Sequence, residues 1–145
     1  MTEQTNSPAV PETELDEALR TARKHPETAN FFYDAFLNAW LYIPAQNAEK
    51  SQGTWKQIAA NERFFPLYLR QGELRAVPVF DKLEKLKVWA DVRPFDYLML
   101  PTHLFLKVIS PDVGIVLNEG TAYRHFFKAE TLAAIRNAIQ VVHPN

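Results

Sequence analysis

The segment "RFFPLYLRQGELRAVPVF", residues 63–80, constrains the fold more than any other part of the chain. Apolar residues alternate with others through its first half, which is the period of a strand with one buried face. Gln71-Gly72 then predicts a tight turn, because glycine adopts positive φ without a steric penalty. Four residues of the second half are expected to line one face of a returning strand: Leu74, Ala76, Pro78 and Phe80. The segment therefore predicts a β-hairpin, with an edge or a bulge near Pro66 and Pro78, since proline cannot donate to a ladder.

Helical periodicity precedes and follows this hairpin. Apolar residues recur at offsets of three and four after Thr13, which predicts a first helix capped by Thr13 with Asp16 in a capping box. This helix is expected to end at His25, because the residue before proline is pushed out of the helical region. A second helix is expected at about residues 27–39, with Trp40 at the end of its apolar face, and an amphipathic helix is expected to close the chain.

The intervening residues predict further strands and short helices. Four short apolar runs are expected as strands: "LYIP", "DYLML", "GIVLN" and "YRHFF". Residues 45–62 are polar and predict a long exposed loop. "DKLEKLK", residues 81–87, predicts a short helix capped by Asp81, with a solvated face of interleaved lysine and glutamate. The fold class is therefore α+β: a mixed sheet of about five strands with helices packed on it, two N-terminal helices and one C-terminal helix.

Composition limits the possible classes of protein. A chain of 145 residues with 47% hydrophobic residues fits one domain, which we place at residues 13–145 after a flexible tail of residues 1–12. The absence of cysteine excludes disulfides and thiolate metal sites. Sixteen basic against 17 acidic residues argue against nucleic-acid binding. No apolar run approaches a membrane span and the N-terminus lacks a signal-peptide pattern, so a soluble, cytoplasmic protein is expected.

The stretch "NEGTAYRH" holds the candidate binding residues. Asn118-Glu119-Gly120 follows an apolar run, and both asparagine and glycine tolerate the positive φ of a turn. A structural turn is the favoured interpretation. In the alternative, backbone amides of the turn bind an anion with help from a cation. The candidate ligand-binding residues are Asn118, Glu119, Gly120, Arg124 and His125.

Signatures of metal binding and catalysis are missing. No two of the four histidines are spaced by two, three or four residues: His25, His103, His125 and His143. No serine lies in a nucleophile-elbow pattern. We therefore predict no metal and no cofactor, favour a protein that is not an enzyme while leaving the enzyme alternative open, and assign no residue a catalytic role.

Three adjacent phenylalanine pairs offer two interpretations: Phe31-Phe32, Phe64-Phe65 and Phe126-Phe127. Neighbouring residues of a strand point to opposite faces, so one ring of each strand pair leaves the main core face. Either a helix covers that ring, which is the favoured outcome, or the ring joins an apolar patch that contacts a partner.

The order of three segments resembles a known family: "FYDAFLNAWLYIPA", "ELRAVPVFDKLEKL" and "GIVLNEG". Together they are similar to the SseB-type N-terminal domain of bacterial enhanced serine sensitivity proteins, over about residues 13–140. Glu119 stands where the family usually has proline, and Asp81 stands where it often has threonine or serine. Each can serve as a turn residue and a helix cap respectively.

The resemblance implies the fold and supplies no catalytic residues. With the residues above, it leads us to expect a bacterial, cytoplasmic, non-enzymatic binding or regulatory module. Its partner is expected to be an unidentified protein or a small regulatory ligand, with a homodimer possible and neither nucleic acid nor membrane involved. The alternative is a small-molecule-binding protein or enzyme that uses a cleft near Asn118–His125.

Overall fold

The computed structural model describes residues 12–45, 56–58, 66–91 and 96–142. The helices are α1 (Glu14–Lys24), a 3-10 turn (Pro26–Thr28), α2 (Ala29–Leu37), α3 (Leu83–Ala90), α4 (Thr102–Val108) and α5 (Ala129–Val142). The strands are β1 (Trp40–Pro44), β2 (Lys56–Ile58), β3 (Leu69–Gln71), β4 (Leu74–Val79), β5 (Asp96–Pro101), β6 (Gly114–Leu117) and β7 (His125–Phe127). The predicted α+β class is confirmed.

The strands form two ladders that meet at one point. The first has the order β1-β5-β2 and the second the order β3-β4-β6-β7. β2 runs parallel to β5 and β4 runs parallel to β6, whereas the other neighbours are antiparallel. Tyr42 of β1 and Phe80 after β4 exchange both backbone hydrogen bonds, at 2.7 and 3.0 Å. This bridge joins the edge strand β1 of the first ladder to the end of β4 in the second. Parallel and antiparallel pairs occur together, so the sheet is mixed, as predicted.

The predicted hairpin is confirmed, and its second strand is buried on both faces and not only on the face assigned to Leu74, Ala76, Pro78 and Phe80. β3 and β4 pair across a turn in which Gly72 has a φ of +64°. Val77 faces the main core while Ala76 and Phe80 are also fully buried, and Leu74 is exposed. The cause is the position of β4, which lies inside the sheet beside the parallel strand β6. Parallel strands are commonly buried on both faces.

The main core lies between one face of the four-stranded ladder and helices α1, α2, α4 and α5. It includes Leu15, Leu19, Phe32, Phe36, Val77, Val79, Phe105, Ile115, Leu117, Phe127 and Leu132. The rings of Phe36 and Phe127 stack with centroids 4.2 Å apart, so α2 is fixed on β7. A smaller cluster of Phe80, Leu86 and Tyr97 places α3 against the other side of the β4 end.

The first helix follows its predicted signals. Thr13 Oγ1 accepts a hydrogen bond from the Asp16 N–H at 3.0 Å, and Asp16 Oδ2 accepts one from the Thr13 N–H at 3.1 Å. This confirms the capping box, which satisfies two amides at the helix start. The helix ends at Lys24, directly before His25-Pro26, as expected.

One predicted loop contains a strand. β2 lies inside the range 45–62 that was predicted to be an irregular exposed loop, and its pairing with β5 shows that this prediction was wrong for those residues. The remaining predictions for residues 46–55 and 59–62, for the tail at 1–11, for Phe64-Phe65 and for His143 lie outside the described residues. In the described part of the chain, no helix combines the length and the apolar character needed to cross a membrane.

Candidate functional site

The triplet Asn118-Glu119-Gly120 forms a structural turn after β6. Asn118 has a φ of +55° and Gly120 a φ of +84°, both in the left-handed region. The N–H of Asn118 donates to the Val79 carbonyl at 2.8 Å, and the N–H of Thr121 donates back to the Asn118 carbonyl at 3.2 Å. The favoured interpretation as a turn is therefore confirmed.

The side chain of Asn118 points into the protein, where it joins two other segments. Its Oδ1 accepts a hydrogen bond from the Asp81 N–H at 3.2 Å, and its Nδ2 donates to Asp16 Oδ1 at 3.4 Å. Asn118 is completely buried. It therefore fixes the turn after β6 to the start of α1 and to the segment between β4 and α3.

Lys85 forms the centre of this buried polar group. Its Nζ lies 2.6 and 2.8 Å from the two carboxylate oxygens of Asp16 and 2.8 Å from Asp81 Oδ1. The side chains of Lys85, Asp16 and Asp81 are only 5%, 1% and 4% exposed. Thr13 Oγ1 donates to the second oxygen of Asp81 at 2.6 Å. We call the five residues Thr13, Asp16, Asp81, Lys85 and Asn118 the Lys85 network.

Two sequence predictions fail at this network. "DKLEKLK" was predicted to present a solvated helix face, yet Lys85 is buried between two carboxylates. Asp81 was predicted to cap α3, but Lys82 occupies the cap position without a side-chain bond to the helix. The Asp81 carboxylate instead binds Thr13 and Lys85. The spacing of Asp81 and Lys85 by four residues was a local signal for their pairing.

The exposed part of the loop is held by two arginines. Arg124 Nε donates to Glu119 Oε1 at 2.7 Å, and both side chains are about one-third exposed. From the last turn of α1, Arg23 donates to the carbonyl oxygen of Ala122 at 2.7 Å and also to that of Arg124. These contacts fix the loop on α1.

His125 lies among aromatic rings. Its imidazole contacts Phe32 and Phe127 edge-on, with ring centroids 5.1 and 4.6 Å away. Burial lowers the pKa of His125 below its usual range, and the positive charges of Arg23 and Arg124 lower it further. The imidazole is therefore held in its neutral form as part of the packing.

The five predicted ligand-binding residues do not converge on a shared surface. Asn118 points inward, Glu119 and Arg124 bind each other, and His125 packs beside Phe127. Two clefts are described in the structure, and neither is lined by any of these residues.

The larger of these clefts has a volume of about 470 Å³. It lies between the start of α1, the end of α2 and β1, and we call it the α2–β1 cleft. Its walls consist of Thr13, Glu14, Leu15, Asp34, Ala35, Asn38, Ala39, Trp40, Tyr42, Asp81 and Lys82. The smaller cleft, of about 380 Å³, lies beside β6 and α5 and includes Asp112, Phe126 and Glu130.

Trp40 is the feature of the α2–β1 cleft that sequence reasoning missed. It was predicted to end the apolar face of a helix, but α2 ends at Leu37 and Trp40 begins β1. Its side chain is 54% exposed, and Phe31 on α2 is 71% exposed. Phe31 precedes Asp34 and Ala35 by three and four residues, so the three share one side of the helix. The exposed aromatic surface therefore continues beyond the cleft.

Comparison with known proteins identifies the family. A model of the SseB protein N-terminal domain matches residues 15–134. The chain belongs to this SseB family. Neither a curated protein nor a solved structure matches it. The matched range contains both Trp40 and Lys85, so most of the cleft lining and most of the network belong to the SseB domain itself.

The chemistry available to this SseB domain differs between its two polar regions. The Lys85 network is buried and each of its charged groups has a partner of opposite charge, which is typical of a structural role. Among the described residues, no group of three or more histidine, aspartate or glutamate side chains could hold a metal ion. The α2–β1 cleft instead offers aromatic surface and exposed carboxylates to an external group.

Proposed function

We propose that this SseB-family chain is a non-catalytic binding module that acts through a protein partner seated at the α2–β1 cleft. The observation that carries the proposal is the position of Trp40, which is 54% exposed and lines the cleft, with the exposed Phe31 three residues before Asp34 of the same lining. Tryptophan is enriched among the residues that dominate protein–protein binding energy, especially where its ring fills or borders a pocket. Exposed apolar patches commonly mark such surfaces.

The state of the other polar residues supports a binding role over a catalytic one. Lys85 and its two aspartates are withdrawn from the surface and paired with one another. His125 is packed against Phe32 and Phe127. A general base must reach the proton that it abstracts, and these groups are engaged elsewhere. The proposal places the module in the bacterial cytoplasm, in line with the family resemblance.

Affinity capture with matched variants tests this proposal. The tagged full chain would be incubated with extract of its source cells as wild type, Trp40→Ala and Val88→Ala, and bound proteins and small molecules would be quantified together. Val88 is an exposed apolar residue on α3, away from the cleft lining, and serves as the control. We expect a protein that the wild type and Val88→Ala retain equally and that Trp40→Ala loses by about 30-fold, the effect of a hot spot worth about 2 kcal/mol.

Two results would contradict the proposal. Equal retention by the wild type and Trp40→Ala would remove Trp40 from the binding surface. Loss of a small molecule alone, with no Trp40-dependent protein, would favour the small-ligand alternative.

A further inference from the structure

We infer that the partner segment entering the α2–β1 cleft is basic, and that an arginine or lysine side chain of the partner lies over Trp40 between Glu14 and Asp34. The inference rests on the proposed function and specifies the chemistry of its partner. It follows from the distribution of charge around the cleft, from the ring of Trp40 and from the length of the exposed surface.

Two exposed carboxylates, those of Glu14 and Asp34, line the cleft. Glu14 begins α1 and Asp34 lies in the last turn of α2, and both side chains are exposed. Neither forms an ion pair with another residue in the part of the chain that the structure describes. The start of α1 offsets part of the Glu14 charge through the helix dipole, whereas Asp34, near the end of α2, lacks that stabilisation. Asp34 is therefore the stronger attraction for a cation.

The floor of the cleft adds negative charge from within the protein. Asp81 lines the cleft and belongs to the Lys85 network, where Asp16 and Asp81 share the single ammonium of Lys85. With Lys82 on the wall, the cleft and its floor hold four carboxylates and two ammonium groups, a formal charge of −2. The whole chain has a formal charge of −1. Buried charge is screened less by salt than exposed charge, so the floor contributes to the field in the cleft.

Trp40 adds an aromatic ring to the carboxylates of the cleft, and the two together form a site for a basic side chain. A guanidinium or ammonium group within about 6 Å of a tryptophan ring centre is attracted by the negative face of the ring. Ala35 and Ala39 on the same wall can contact the methylene groups of such a side chain. Carboxylates next to an aromatic ring therefore favour a long cationic side chain over a neutral or an anionic one.

The length of the exposed surface favours a polypeptide over a small organic cation. Phe31 lies one helical turn before Asp34, which corresponds to about 4.5 Å along the axis of α2. Its ring is 71% exposed and lies beyond the cleft lining. A segment with an apolar residue next to its basic residue would cover Phe31 and fill the cleft together.

Selection from a random peptide library tests the inference. The library would be displayed on phage and selected against the immobilised full chain as wild type, as the double variant Glu14→Gln/Asp34→Asn, and as the control Asp112→Asn/Glu130→Gln. The control removes two carboxylates from the smaller cleft. We expect the wild type to enrich sequences with arginine or lysine beside an apolar residue. Binding should weaken about tenfold or more in the cleft double variant and with salt raised from about 0.05 to 0.5 M.

The inference fails if the enriched sequences lack a basic residue, if the double variant binds them as well as the wild type, or if nothing is enriched. It can fail while the proposed function stands. A natural partner that depends on Trp40 but not on Glu14 or Asp34 would keep the cleft as the binding surface and reject a basic occupant. A partner independent of Trp40 would reject both.

Discussion

Lys85 Nζ lies 2.6 Å from Oδ2 of Asp16, a residue 69 positions earlier in the chain. This contact joins α3 to the start of α1 between side chains that are at most 5% exposed, and Asp81 binds the same ammonium at 2.8 Å. Removing one partner of a buried ion pair leaves the other charge without compensation. The network therefore predicts strong effects from single substitutions.

Replacing Lys85 by methionine should destabilise the protein severely. The substitution leaves the carboxylates of Asp16 and Asp81 buried without a cation, and changes of this kind typically cost about 3–5 kcal/mol. Urea denaturation followed by circular dichroism would measure the loss. Lys107→Met is the control, because Lys107 is exposed in α4 and its substitution should change stability by no more than about 0.5 kcal/mol. A cost below about 1 kcal/mol for Lys85→Met would contradict a structural role for the network.

Substitutions of Asn118 should separate its two roles. Asn118→Gly keeps the freedom to adopt positive φ but loses the bonds to Asp16 and to the Asp81 N–H. The loss should be about 1–3 kcal/mol, the cost of leaving buried polar groups unsatisfied. Asn118→Ala should cost about 1 kcal/mol more than Asn118→Gly, because alanine has a Cβ atom and is strained at a φ of +55°. Equal stability of the two variants would show that backbone strain contributes nothing there.

Gly120→Val should destabilise the protein more than Glu119→Ala. A Cβ at Gly120 would lie 3.7 Å from Trp89 Cδ1, an ordinary contact, so the cost comes from the φ of +84°. Such strain typically costs about 1–3 kcal/mol. Glu119→Ala removes only a partly exposed pair with Arg124, worth about 0–1 kcal/mol. Thermal unfolding of both variants would test this order. Unchanged melting of Gly120→Val would refute the strained turn.

His125 should make stability depend on pH below about 6.5. Burial holds the pKa of His125 below its usual 6.5 in the folded protein, so the unfolded chain takes up a proton first as the pH falls. The stabilising contribution is therefore complete above about 6.5 and is lost as the pH decreases from there toward the lowered pKa. His125→Phe should flatten this part of the profile, whereas His25→Gln, at an exposed histidine, should not. Parallel profiles for His125→Phe and wild type would contradict the argument.

Local features of the fold could be predicted from sequence, whereas long-range partners could not. The cap at Thr13 and the positive φ of Gly120 depend on neighbouring residues and residue type, and both were predicted. The burial of Lys85 depends on Asp16, a residue 69 positions away that only the tertiary structure brings close. A single sequence does not reveal that packing.

The candidate site shows the same limit. Trp40 was expected to be on an apolar helix face because its spacing of four residues from Phe36 continues the helical pattern. The helix ends three residues earlier, and this shift of the boundary turns a predicted core residue into an exposed one. Element boundaries are the least certain part of a prediction from sequence, and here one of them determines that Trp40 lies on the proposed binding surface.

The most direct test of the proposed binding surface is photocrosslinking in living source cells. A photoreactive amino acid at Asn38, inside the α2–β1 cleft, would be compared with one at Glu130, beside the smaller cleft. We predict a discrete adduct with a protein at position 38 that disappears when Trp40→Ala is added, and no such adduct at position 130. No adduct at position 38, or one that persists in Trp40→Ala, would contradict the assignment of the partner to this cleft.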